Sequence, residues 1–347
     1  MGHRVTAGGR AVRALALPRL VALALLAAGP AAAAPQAAAA PEPLGIALEG
    51  YPYPFPVKLL ALTLEGQDLR MAYMDVAPTA PSNGHTVLLL HGKNFFGAYW
   101  EGTARTLAAA GFRVVVPDQL GFGKSSKPAL HYTFELLATT TKQLLEELKI
   151  ERVAVVGHSM GGMLAVRFAL LFPGATTHLV LENPIGLEDY REKVPYQTVE
   201  QQYRSTLGQT EPSLRKFIGS YFVTWRPEYE PYVMVPYRWT LSAEYPRYAL
   251  ASALTYDMIY TQPVVHDLPR LRAPTLLVIG QSDRTTLGRG SLPKQVLDTL
   301  GQYPELGRRA ASAIPGSKLV ELPGVGHIPH VEAAPRFHEA LLEFLRR

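Results

Sequence analysis

The 347-residue chain contains no cysteine. That excludes a disulfide framework and a lipid-modified cysteine, so stability has to come from a packed core. It has no uninterrupted apolar run of the ~20 residues that a membrane-spanning helix needs. No basic stretch interleaved with aromatics occurs, which argues against a nucleic-acid partner. No internal repeat is visible. Charge is sparse: 18% of residues are Asp, Glu, Lys or Arg, against 48% hydrophobic. That is an ordinary globular balance, and the length suits one large domain with an insertion.

The first 40 residues read as a segment apart from the fold. Arg4, Arg10, Arg13 and Arg19 precede the apolar run Leu20 to Ala28, which Pro30 and an alanine-rich tract follow. This is the order of a cleavable signal peptide, with a basic start, a short apolar stretch and small residues for the cut. The expected cut lies near Ala31-Ala32-Ala33, with a later one near Ala40 as the alternative. No Arg-Arg pair occurs in this segment, which argues against a twin-arginine signal. The net charge of +5 is largely a property of the leader. Four of the 34 Lys and Arg lie in it and none of the 29 Asp and Glu, so the remainder balances 30 against 29. A periplasmic or secreted protein with no stable membrane anchor after cleavage is expected.

From residue 41 the chain alternates. Ala40 to Pro56 reads as a proline-rich arm. Val57–Leu64 and Leu69–Val76 form a predicted hairpin across Glu65-Gly66-Gln67-Asp68. Strands are predicted over His85–Leu90, Phe112–Val116, Arg152–Val156, Thr177–Glu182, Thr275–Gly280 and Ser317–Leu322. Helices are predicted over Trp100–Ala110, Thr133–Leu148, Met160–Leu171 and Pro335–Leu345. Buried strands alternating with helices imply a mostly parallel, eight-stranded α/β sheet covered on both faces. Asn183 to Leu271 breaks the pattern with nine prolines, 11 of the 17 tyrosines, Trp225 and Trp239. It reads as an inserted helical cap, with residues 41–182 and 272–347 as the two parts of the core. Its aromatic density suits a roof over an apolar pocket.

The chemistry centres on Gly157-His158-Ser159-Met160-Gly161-Gly162. Gly-x-Ser-x-Gly between a strand and a helix is the pattern of a nucleophile elbow. The sharp turn exposes the hydroxyl, and glycine is needed where a Cβ would meet neighbouring backbone. The helix start then offers free N–H groups to a developing oxyanion. A serine needs a base to take its proton and a third group to orient the base. His327 is the candidate base, in a glycine-rich loop after the last strand. Asp283, three residues past the preceding strand, is the candidate acid, and Glu182 is its rival. The oxyanion donors should be the backbone N–H groups of Met160 and of Lys93, with Asn94 as the alternative to Lys93. The Lys93 side chain is expected to be solvated. His327 and His330 form no metal site, because no third ligand has suitable spacing. His330 is expected to be a packing or surface residue. Gly121-Phe122-Gly123 lacks the third glycine of a dinucleotide loop.

On these residues the chain resembles the α/β-hydrolase superfamily, in its branch with a helical cap. The residues that carry the resemblance are His91-Gly92, Asp118-x-x-Gly121-x-Gly123-x-Ser125, the elbow, Asp283 and Gly326-His327, within about Val57 to Leu345. The resemblance implies a serine hydrolase that needs no cofactor and acts on a small-molecule substrate. It implies a loop-shaping role for Asp118. The superfamily's epoxide hydrolases and haloalkane dehalogenases carry an aspartate where this chain has Ser159. The chain looks more like the serine esterases, the carbon–carbon bond hydrolases and the proline iminopeptidases. An apolar carboxylic ester is the expected substrate. An iminopeptidase would need a cap carboxylate such as Glu228, Glu230 or Glu244 turned inward. A ligand-binding protein that retains the three residues is the non-enzymatic alternative.

Overall fold

The computed structural model describes residues 41–346, together with residues 2, 3 and 11. The expected signal sequence therefore lies, apart from those three positions, outside the described residues. No helix among the described residues is long and apolar enough to cross a membrane.

Among the described residues eight strands form one sheet: β1 (Val57–Leu64), β2 (Gln67–Val76), β3 (Thr86–Leu90), β4 (Arg113–Pro117), β5 (Val153–His158), β6 (Thr176–Glu182), β7 (Thr275–Gly280) and β8 (Lys318–Leu322). Their order is β1-β2-β4-β3-β5-β6-β7-β8. The hairpin closes between Leu64 and Gln67. Its two turn residues, Glu65 and Gly66, both have positive φ, 47° and 71°, which matches the right-handed twist of the strands. β2 pairs antiparallel with β4, and the pairs from β4 to β8 are parallel. The sheet is therefore mostly parallel, as the alternation predicts.

The helices are α1 (Glu101–Ala109), α2 (Phe134–Glu147), α3 (Met160–Leu171), α4 (Val199–Leu207), α5 (Glu211–Gly219), α6 (Glu230–Thr240), α7 (Tyr245–Thr261), α8 (Lys294–Leu297), α9 (Tyr303–Ala313), α10 (Pro329–Glu332) and α11 (Ala334–Leu345). Thr133 caps α2 by accepting from the Leu136 N–H at 2.9 Å, which explains why that helix starts where it does. The pleat of β5 divides the core. Val153 and Val155 face α2, α3 and α9 through Leu137, Phe168 and Leu306. Ala154 and Val156 face α1 and α11 through Leu107, Phe337 and Leu341. Alternation along one strand thus places helices on both faces.

Between β6 and β7 the chain forms α4 to α7. The arm that precedes β1 packs on two of them. Leu44, Ile46 and Leu48 bury against Val235, Trp239, Tyr245 and Tyr248. The Leu44 N–H donates to the Arg238 carbonyl at 3.1 Å, and the Trp239 indole N–H donates to the Gly45 carbonyl at 3.0 Å. The arm is therefore a tie across α6 and α7, where the sequence predicts only a proline-rich extension.

Candidate active site

The sharp turn at the end of β5 is made by backbone crowding. A Cβ on Gly157 would lie 2.1 Å from the Gly161 carbonyl oxygen, and one on Gly161 would lie 2.2 Å from that of Leu90. Neither distance is possible for real atoms, so both positions require glycine. Ser159, between them, has φ 56° and ψ −120°, a strained backbone for a residue with a side chain. Its N–H donates to the Glu182 carbonyl at 3.1 Å, which ties the turn to β6.

Because β5, β7 and β8 run parallel, the loops that leave them emerge on one edge. Ser159, Asp283 and His327 all lie there. The Ser159 Oγ is 3.0 Å from His327 Nε2. His327 Nδ1 is 2.6 Å from Asp283 Oδ2. Burial alone would raise the Asp283 carboxyl. His327, the Thr285 N–H and the Asn183 amide outweigh that and hold it below the usual carboxylate range. An ionised carboxylate only accepts, so His327 Nδ1 carries the proton and Nε2 is free to accept one from serine. The arrangement can therefore pull a proton from the Ser159 hydroxyl and stabilise the imidazolium that results.

Asn183 is a residue that the sequence reading assigns no role beyond the start of the cap. Its amide donates to Asp283 Oδ2 at 2.7 Å, and its side-chain oxygen accepts from the Gly280 N–H at 2.8 Å. It clamps the acid to the end of β7. Its φ of 36° is a signal that sequence alone could have hinted at, since asparagine tolerates that region.

The rival acid is elsewhere. Glu182 accepts from His330, at 2.6 Å from the backbone N–H and 2.9 Å from Nδ1. Burial pushes its carboxyl up to about 7, although His158 and the His330 N–H pull the other way. Burial also drives the His330 imidazole well down, and its ring stacks on Trp100 at 4.0 Å. His330 is thus a buried partner of Glu182.

A second chain of hydrogen bonds links the elbow to the loop after β3. His158 Nε2 lies 2.8 Å from the His327 carbonyl, which can only accept, so that nitrogen holds the proton. Burial pushes His158 down to about 3, so it is neutral and its Nδ1 accepts from the Tyr99 hydroxyl at 3.0 Å. The Tyr99 oxygen in turn accepts from the Gly92 N–H at 3.0 Å. Gly92 passes so near that a Cβ there would lie 3.1 Å from the Ser159 Cβ. Lys93 follows it and lines a cavity of about 440 Å³ together with Ser159. Met160 opens α3, so its N–H has no acceptor within the helix.

Asp118 occupies the role expected of it. Its carboxylate accepts from the N–H groups of Gly97 and Lys124 at 2.6 and 2.7 Å, and from the Tyr53 hydroxyl at 2.6 Å. The Ser125 hydroxyl closes the same loop onto the Asp118 carbonyl at 2.6 Å.

Two expectations require correction. The Lys93 amine is not solvated: it donates to the Ser252 carbonyl and hydroxyl, both at 2.8 Å. Nor do Trp225, Tyr229 and Trp239 roof the serine. They are absent from the walls of its cavity. Tyr229 stacks on Phe222 at 4.0 Å and lines a separate cavity beside the arm. Trp239 packs on Tyr248 at 4.7 Å. Their rings complete the packing of the helices and the arm, while Phe217, Tyr221 and Tyr256 supply the aromatic walls at Ser159. Glu228, Glu230 and Glu244 do not line that cavity either. Glu230 is held by Arg215 and Glu244 by Arg247.

Residues 85–334 match the family model of the alpha/beta hydrolase fold. A crystal structure from Pseudomonas aeruginosa PAO1, described as that of a probable hydrolytic enzyme, matches with a TM-score of 0.86. It is 48% identical and covers 88% of this chain and 98% of its own. A 2-hydroxy-6-oxononadienedioate/2-hydroxy-6-oxononatrienedioate hydrolase of Paraburkholderia phymatum is 28% identical over 289 residues, 81% of this chain and 92% of the relative. An uncharacterised protein of Mycobacterium tuberculosis is 40% identical over 105 residues, and the matched stretch spans only 30% of that relative's length. The sheet order, the glycine-crowded elbow and the match over most of the chain have one common account: this chain belongs to the α/β-hydrolase family.

Proposed function

We propose that this protein is an exported serine hydrolase that cleaves carboxylic esters through an acyl-Ser159 intermediate. The observation that carries the reading is the row from Ser159 Oγ to His327 Nε2 at 3.0 Å and from His327 Nδ1 to Asp283 at 2.6 Å. In the reaction, His327 Nε2 takes the hydroxyl proton as Ser159 Oγ bonds to the ester carbonyl carbon. The carbonyl oxygen becomes an oxyanion, met by the N–H groups of Lys93 and Met160. Collapse breaks the bond to the alcohol oxygen, which leaves with the proton that His327 returns. Water then attacks the acyl group, gives a proton to His327, and frees the acid and Ser159. Every step balances on these side chains and water alone. A cavity of about 440 Å³ accommodates a small to medium substrate.

The match to the Paraburkholderia hydrolase favours carbon–carbon bond hydrolysis as a second reading. A panel of chromogenic esters of graded length, assayed beside a vinylogous 1,5-diketone acid, separates the two. Ester turnover with no diketone cleavage is expected. Cleavage of the diketone alone would replace the ester reading. Export is supported by the basic start, short apolar run and small-residue tract before residue 41. Intact-mass measurement on periplasmic or culture-medium protein should show the first 30 to 40 residues removed, roughly. A membrane-bound species with the full 38.0 kDa mass would replace export by anchoring.

A further inference from the structure

We infer that the Ser159 cavity selects substrates bearing a carboxylate apart from the scissile ester, held by Lys93 and Arg289. This names a substrate class for the site just proposed and rests on that reading for turnover, though not for binding.

Three observations carry it. The cavity wall contains two cations, Lys93 and Arg289, and no Asp or Glu. Lys93 Nζ spends two of its three N–H donors on Ser252. Among the described residues no carboxylate pairs with it, and burial alone pushes the amine down to about 7. An incoming carboxylate would supply the missing counter-charge and restore the proton. Arg289 is exposed, lines the same cavity, and has no hydrogen bond or ion pair among the described residues. Cations without counter-ions call for an anionic guest. A carboxylate is small enough to share about 440 Å³ with an ester.

The carboxylate could sit on the acyl or the alcohol part. The test therefore uses two substrate pairs. One is the 4-nitrophenyl hemi-ester of glutarate against its methyl ester. The other is 4-(carboxymethyl)phenyl butyrate against its methyl ester. The wild-type enzyme should prefer the acid over its neutral twin in at least one pair. Lys93→Met should reduce that preference, read as a ratio of kcat/KM values, by roughly 10- to 100-fold, the scale of a lost charged hydrogen bond. Lys93→Arg should retain part of it, and Arg289→Gln should lower it by a smaller factor through KM. Binding is read separately on Ser159→Ala by calorimetric titration with monomethyl glutarate and dimethyl glutarate. Tighter binding of the monoacid, lost on adding Lys93→Met, supports the inference even if no ester is turned over, in which case the hydrolase reading alone fails. Ester turnover with no preference for either acid, and equal binding of the two glutarates, would overturn the inference and leave the hydrolase reading standing. Unaltered preference in both Lys93→Met and Arg289→Gln would also overturn it.

Discussion

Replacing Ser159 with alanine should abolish ester turnover, lowering kcat by about 10⁴ to 10⁶, and remove covalent labelling by a fluorophosphonate. The fold should tolerate the change. Among the described residues the Ser159 hydroxyl has a single hydrogen-bond partner, His327 Nε2, so its loss costs on the order of 1 kcal/mol. The strained φ of 56° is borne equally by alanine, because the strain arises from the Cβ that both residues share. The variant therefore separates chemistry from stability. A thermal midpoint within a few degrees of the parent, with no turnover and no labelling, is the expected result. Labelling that persists in the variant would move the nucleophile to another residue.

The parts of the site that were legible in the sequence are those that local backbone geometry spells out. Gly157 and Gly161 stand where any Cβ would strike a carbonyl within 2.2 Å, so the elbow had to be written in glycine. Asp283 and His327 were legible through chain order, because parallel strands bring every strand-to-helix loop to one edge. The strands themselves were legible because β5 and β7 are buried on both faces and so read as unbroken apolar runs. Helices α8 and α9 lie in the long stretch between Asp283 and β8, for which the sequence predicts no element.

What stayed hidden depends on contacts between residues far apart in the chain. Asn183 and Asp283 are 100 positions apart, yet they meet at 2.7 Å. Lys93 finds Ser252 across 159 positions. The cap aromatics show the limit most plainly. Composition reports that Trp225, Tyr229 and Trp239 are present, but not which way each faces. Trp239 faces the arm because the Gly45 carbonyl accepts its indole N–H, and no periodicity within the α6 sequence carries that information.

Asp283→Asn should cost about 10³ to 10⁴ in kcat, and Glu182→Gln less than about tenfold, since the Glu182 carboxylate is turned to His330 and the carbonyl that holds the Ser159 N–H belongs to the backbone, which the substitution leaves in place. The asymmetry follows from who donates to whom. Asp283 Oδ2 faces two donors, His327 Nδ1 and the Asn183 amide, while Oδ1 accepts from the Thr285 N–H at 2.8 Å. An asparagine has one NH₂ and one oxygen to offer in their place. If its oxygen stays toward His327, its NH₂ opposes the Thr285 N–H. If the amide turns over, its NH₂ opposes both the Asn183 amide and the proton on His327 Nδ1. The second arrangement drives the imidazole proton to Nε2, where it can no longer accept from Ser159. The first keeps the tautomer but loses the negative charge that stabilises the imidazolium. Both orientations therefore impair the base. Glu182 instead holds the backbone and ring of His330, and a glutamine keeps an oxygen for one of these. Its variant should show a lowered thermal midpoint with most of the activity retained. Steady-state kinetics on the two purified variants decide the matter. A larger loss in kcat for Glu182→Gln than for Asp283→Asn would transfer the role of acid to the end of β6.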